Sequence, residues 1–120
     1  MAVLAIVDDL LFCAKLEAAA AGTGVDLHVA ADLAAAEPLL VDQPWRLIIL
    51  DLNLSSADPL AVLNAVRSTH PTAPIVGYCS HVQAELRTRA TAAGCSVVVP
   101  RSVFVQRLPE LMAGTWPPVP

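Results

Sequence analysis

Uninterrupted apolar stretches recur along the chain, and each ends abruptly at a polar or turn-forming residue. Val3 to Val7 is closed by Asp8 and Asp9, and Leu47 to Leu50 by Asp51. Ile75 to about Cys79 and Cys95 to Val99 follow, the last stopped by Pro100. Short runs of this kind, rich in β-branched residues, read as strands covered on both faces of a sheet. Val25 to Ala30 differs, because Asp26 and His28 alternate with Val25, Leu27 and Val29. Such alternation suits a strand nearer the edge.

The intervening segments have helical composition. Leu10 to Ala21 is rich in Ala and Leu, puts Leu11, Ala14, Ala18 and Ala21 on one face, and is stopped by Gly22-Thr23-Gly24. Asp32 can cap a helix from Leu33 to about Leu40, interrupted or shortened by Pro38. Asn53 to Asp58 is a polar loop, and Pro59 opens a helix to about His70 behind an Asp58 cap. Val82 to Ala93 is helical, with Val82, Leu86 and Ala90 on one face and Gly94 as terminator. Val103 to Met112 is the last helix, offering Phe104, Leu108 and Leu111 for packing. Strands alternating with crossover-length helices predict an α/β fold with a doubly wound, five-stranded parallel sheet.

Composition narrows the class. At 120 residues, one domain of ordinary size is expected. With 56% hydrophobic and 15% charged residues the chain is globular, and with 4% aromatics its core must rest on Ala, Val, Leu and Ile. The net charge of -4 and the lack of any basic run argue against direct nucleic-acid or membrane binding. Cys13, Cys79 and Cys95 are odd in number and lack C-x-x-C spacing, so they fit buried small hydrophobes in a reducing compartment. The apolar start, Met1 to Val7, is too short for a signal or membrane segment, and the expected location is the cytoplasm. Residues 1–112 are expected to form the domain, and 113–120, ending Trp116-Pro117-Pro118-Val119-Pro120, a proline-rich tail or linker stub.

Asp8, Asp9 and Asp51 occupy matching strand ends. An aspartate after a strand is often a loop residue or helix cap, and a sheet order that separated these strands would leave Asp8 and Asp9 in that role. If the strands are neighbours, all three acids converge at the carboxyl edge, where open α/β sheets bind ligands. Crowded carboxylates repel, and a hard divalent cation relieves them. Magnesium takes oxygen ligands and keeps waters that a phosphate can replace. The cluster therefore predicts a magnesium site open to a phosphoryl group.

Ile6-Val7-Asp8-Asp9, the strand ending in Asp51, and Gly94-Cys95-Ser96-Val97-Val98-Val99-Pro100-Arg101-Ser102 together resemble the receiver domain of bacterial response regulators, from about Val3 to Met112. The resemblance implies a flavodoxin-like fold with strand order 2-1-3-4-5. It implies that Asp51 is the phosphoacceptor, that Asp8 and Asp9 hold magnesium, and that Asn53 adds its backbone carbonyl. The chain would then be no enzyme in its own right. It would be a cytoplasmic phosphorelay protein taking its phosphoryl group from a histidine kinase or phosphotransfer protein and passing the signal to a downstream protein, as a monomer or a dimer.

Four positions depart from the receiver pattern. Cys79, with Ser80 beside it, stands where receivers place a Thr or Ser that binds the phosphoryl group, and a thiol is a poor donor. Arg101 stands for a lysine, keeping the charge in a larger group that binds phosphate in a bidentate way. Val98 replaces an aromatic residue that rotates on activation, and Leu54-Ser55-Ser56 lacks a frequent proline. Two functions follow: a phosphorylated receiver, favoured by the intact acidic cluster, or an unphosphorylated pseudo-receiver that binds proteins constitutively.

Other constellations carry less. Gly77-Tyr78-Cys79-Ser80-His81 is not the G-x-S-x-G elbow of hydrolases, and His81 fits a loop or helix start near the site. No P-loop or G-x-G-x-x-G is present. Tyr78 and Trp45 fit packing rather than recognition.

Overall fold

The computed structural model describes residues 2–80 and 83–116. Five strands pair in parallel in the order β2-β1-β3-β4-β5. They are β1 (Ala2–Ile6), β2 (Asp26–Ala30), β3 (Leu47–Asp51), β4 (Ile75–Cys79) and β5 (Val97–Pro100). The helices are α1 (Leu10–Ala21), α2 (Leu33–Leu40), α3 (Pro59–Thr69), α4 (Ala84–Ala92), α5 (Arg101–Gln106) and α6 (Leu108–Ala113). The three central strands are buried at almost every position, whereas β2, at the edge, is buried only at Ala30. The alternation in its sequence reflects that edge position.

Successive strand residues point to opposite faces, so the sheet builds two cores. Leu4, Ile6, Ile48, Leu50, Ile75 and Cys79 pack with Ala36 and Leu40 of α2, Val62, Leu63 and Val66 of α3, and Ala90 of α4. Val3, Ala5, Leu47, Ile49, Val76 and Tyr78 pack with Phe12, Cys13, Leu16 and Ala20 of α1, and with Phe104, Leu108, Leu111 and Met112 beyond β5. All three cysteines are buried thiols.

Four features differ from the sequence-based expectation. Helix α1 buries Phe12, Cys13, Leu16 and Ala20, while Leu11 is 81% exposed and Ala14, Ala18 and Ala21 face solvent. In an alanine-rich helix the periodicity is weak, and the face carrying Phe and Leu buries more apolar area. The last helical segment starts at Arg101, directly after the strand, and divides at Arg107 into α5 and α6. Pro109 has no N–H to continue the helical ladder, so α6 restarts with proline in its first turn. The fifth strand opens two residues later than the apolar run, at Val97. Pro38 lies inside α2 without interrupting it, although that helix has only 8 residues. The expected helix start at Val82 lies outside the described residues, as do His81 and the tail from Pro117.

One buttress sets the approach to β5. Arg67 on α3 donates from Nε and Nη2 to the Gly94 carbonyl at 2.9 and 2.6 Å. Its Nη1 donates to the His70 and Ala73 carbonyls at 2.9 and 2.7 Å. Gly94 has φ +114, and a Cβ there would lie 2.7 Å from Arg67 Cγ and Nε. No helix among the described residues is long and apolar enough to cross a membrane.

Candidate functional site

With β1 between β2 and β3, the ends of β1 and β3 are adjacent, and Ile6 pairs in register with Leu50. Asp8 and Asp9 therefore leave the sheet beside Asp51. Asp51 is the last residue of β3 and only 3% exposed. Burial pushes its pKa up. The Asn53 backbone N–H, at 2.8 Å from Oδ1, and the Arg101 guanidinium act against that shift, while Asp8 and Asp9 add to it.

Asp9 is the N-cap of α1, its Oδ1 accepting from Leu11 N at 3.0 Å and Phe12 N at 3.2 Å. The cap and site roles coexist, because Asp9 Oδ2 also lies 3.6 Å from Arg101 Nη2. Asp8 Oδ2 accepts from Ser55 N at 3.1 Å, Ser55 Oγ at 2.8 Å and Ser56 N at 3.1 Å. Desolvation would raise the Asp8 pKa, but these donors outweigh it and hold the carboxyl below its ordinary value.

Arg101, the first residue of α5, places Nη2 4.0 Å from Asp51 Oδ2. Its guanidinium carbon sits 5.1 Å from the Phe12 ring centroid and 5.7 Å from that of Tyr78. Asn53 ties two strand ends together: its Nδ2 donates to Gln83 Oε1 at 2.9 Å and its Oδ1 accepts from Ser80 N at 2.5 Å. Cys79, at the end of β4, is buried, and its Sγ lies 4.0 Å from the Val99 carbonyl oxygen. A small cavity of about 30 Å³ beside it is lined by Gln83, Arg87, Val98, Val99 and Pro100.

The structure thus brings Asp8, Asp9, Asp51 and Arg101 to one edge, with Asn53 and Ser80 alongside. Residue-level reading missed the serine donors on Asp8, the Gln83 partner of Asn53, and the rings beneath Arg101. Only the polar run Ser55-Ser56 gave any hint of them.

Three carboxylates against one guanidinium leave the pocket short of positive charge, and its all-oxygen donor set suits a hard dication. In the arrangement described, however, no three acidic, His or Cys side chains among the described residues are grouped to hold a metal ion.

This sheet order and these flanking helices define the class: the chain has the fold of response-regulator receiver domains. It is similar to the receiver domain of NtrX from Brucella abortus, with 23% identity, 94% of this chain and 96% of that one covered, and a TM-score of 0.82. A longer NtrX chain matches at 21% identity over 93% of this chain with a TM-score of 0.77, and this chain spans 27% of its length. A response regulator from Burkholderia pseudomallei, holding a phosphorylated aspartic acid, a calcium ion and citrate, matches at 19% identity with a TM-score of 0.78, covering 98% of this chain and 75% of that one. No family model and no curated protein matches the chain.

Proposed function

We propose that the chain is a phosphoacceptor receiver domain of two-component signalling, phosphorylated on Asp51. The observation that carries this reading is the charge imbalance at the carboxyl edge. A buried carboxylate with a raised pKa sits with two further acids and faces one guanidinium. Acids grouped this way are costly unless a cationic ligand neutralises them.

In this reading Asp51 Oδ1 stays on the Asn53 amide and Oδ2 attacks phosphorus. The new O–P bond forms as the P–N bond of a phosphohistidine donor breaks. The electron pair leaves on the imidazole nitrogen, which takes up a proton. Poor solvation keeps the attacking carboxylate basic, and Arg101 closes from 4.0 Å to bind the transferred oxygens. Ser80 supplies the hydroxyl that Cys79 cannot. Asp8, Asp9, Asp51 and the Asn53 carbonyl are the groups that would hold magnesium, which supplies charge neutralisation on the phosphoryl oxygens. To hold it, Asp8 would turn from the Ser55 and Ser56 donors that its Oδ2 accepts from. The donor is a histidine kinase or phosphotransfer protein in the cytoplasm, the receiver of the signal a downstream protein, and the domain itself a relay rather than a turnover enzyme.

Incubation with acetyl phosphate and magnesium, followed by intact mass, tests this. One phosphoryl adduct is expected in the wild type and none in Asp51→Asn; an unmodified wild type overturns the reading. Magnesium alone should shift the Ser55 and Ser56 amide resonances in the wild type but not in Asp8→Ala/Asp9→Ala. Equal responses would show that the metal site is misplaced.

A further inference from the structure

Beneath the acidic edge, Phe12, Tyr78 and Phe104 form one aromatic cluster, from α1, β4 and α5. The Phe12 and Tyr78 rings stack at 4.6 Å, and Phe104 lies 5.7 Å from Phe12 and 4.7 Å from Tyr78. These are 3 of the 5 Phe, Trp and Tyr residues in the chain, gathered under one cation. The Arg101 guanidinium lies over two of them while its Nη2 points to Asp9 and Asp51. Its Nε is buried and has no hydrogen-bond partner among the described residues, which fits an inner edge resting against rings. The Tyr78 hydroxyl is also buried without a partner among the described residues, so its hydrogen-bonding capacity does not explain a tyrosine there.

We infer that Phe12 and Tyr78 are positioning residues for phosphoryl capture: their ring faces form a shelf that aims Arg101 at Asp51, and the shelf requires arginine. This rests on the phosphoacceptor reading above. A planar guanidinium can lay its face on a ring and still direct its in-plane N–H groups at carboxylate or phosphoryl oxygens. An ammonium is a compact point charge with no flat face, so it cannot satisfy both demands in one geometry. The exchange of lysine for arginine and the aromatic residues beneath it are then one feature. The shelf also joins three elements, so the cation is located by α1 and β4 as well as by its own helix.

The test is a double-mutant cycle on the full chain, with phosphorylation from acetyl phosphate followed by intact mass and resolved into the limiting single-turnover rate constant and the half-saturating acetyl phosphate concentration. In the Phe12 background, R101K should lower the limiting rate constant roughly fivefold with little change in the half-saturating concentration, the size of one partly desolvated cation–π contact. In the F12L background the same exchange should cost less than about twofold, because the shelf it depends on is gone. An equal R101K penalty in both backgrounds overturns the proposal. Should F12L fold poorly, 3-fluorotyrosine incorporated at Tyr78, the sole tyrosine, gives a second measurement. Its fluorine resonance should move in R101K relative to the wild type, and coincident resonances overturn the shelf. Absence of any adduct in the wild type is distinct from both results: it removes the phosphoacceptor reading and the shelf's role with it.

Discussion

Gly94→Ala should be among the most damaging small substitutions in this chain. Two costs add. The backbone φ of +114 is a conformation that L-residues rarely adopt, and holding one there costs roughly 1–3 kcal/mol. The new methyl would also fall 2.7 Å from Arg67 Cγ and Nε, about an ångström inside normal contact. The arginine cannot swing away freely, since its four hydrogen bonds reach carbonyls on Gly94, His70 and Ala73 at 2.6 to 2.9 Å. Giving up two of them adds about 1–3 kcal/mol. The total, about 2–6 kcal/mol, is a large fraction of an ordinary domain's stability and corresponds to a fall in Tm of roughly 10–25 °C.

Urea melts followed by far-UV circular dichroism would measure it, with Arg67→Ala and the double variant beside it. Arg67→Ala removes the obstacle along with the bonds, so the double variant should be less destabilised than the two single costs added, by about 1–2 kcal/mol. A Gly94→Ala protein within about 0.5 kcal/mol of the wild type, or strict additivity, would refute the argument.

Asp51→Asn should be more stable than the wild type at pH 7 by about 1 kcal/mol, because function and stability oppose each other at such a site. The sign follows from the raised pKa: the folded state holds the Asp51 proton more tightly than the unfolded chain. Stability is therefore lost as pH rises from the ordinary value of 3.8 through the folded one, and the gap between the two proteins should close on acidification. Asp8 has the opposite sign, its lowered pKa giving stability above the unfolded value that disappears as pH falls, so pH-dependent melts of Asp8→Ala should converge on the wild type in acid. Tyr78→Phe removes a buried hydroxyl without a partner among the described residues and should raise the urea midpoint, by about 1 kcal/mol in stability; a loss would mean that the hydroxyl is satisfied. Asp9→Ala deletes the α1 cap at a cost of about 1 kcal/mol, whereas Asp9→Asn, which keeps a side-chain acceptor, should cost a fraction of that in the same melts.

The acidic edge was legible because it depends on strand ends. Solid apolar runs located β1, β3 and β4, and the residues that close such runs must emerge at the carboxyl edge of a parallel sheet. Asp8, Asp9 and Asp51 needed only the adjacency of β1 and β3 to meet. The partners of those acids were not legible. Ser55 reaches Asp8 across 47 positions and Asn53 reaches Gln83 across 30, and no local pattern encodes such meetings. The buried face of α1 failed for another reason: its alanines give little periodic contrast, and the choice was made by how well Phe12 fits beside Tyr78 and Phe104. The break at Arg107 needed Pro109 to be weighed as a helix restart rather than as one residue in a continuous helix.

Pro100 both ends β5 and precedes the first turn of α5, leaving no connecting loop before Arg101. The guanidinium is thus mounted on a stiff joint, with a strand behind it and a helix ahead. A slack connection would absorb a change of charge at Asp51 within a few backbone angles. Here the same pull would act directly on a helix whose Phe104 is buried in the core.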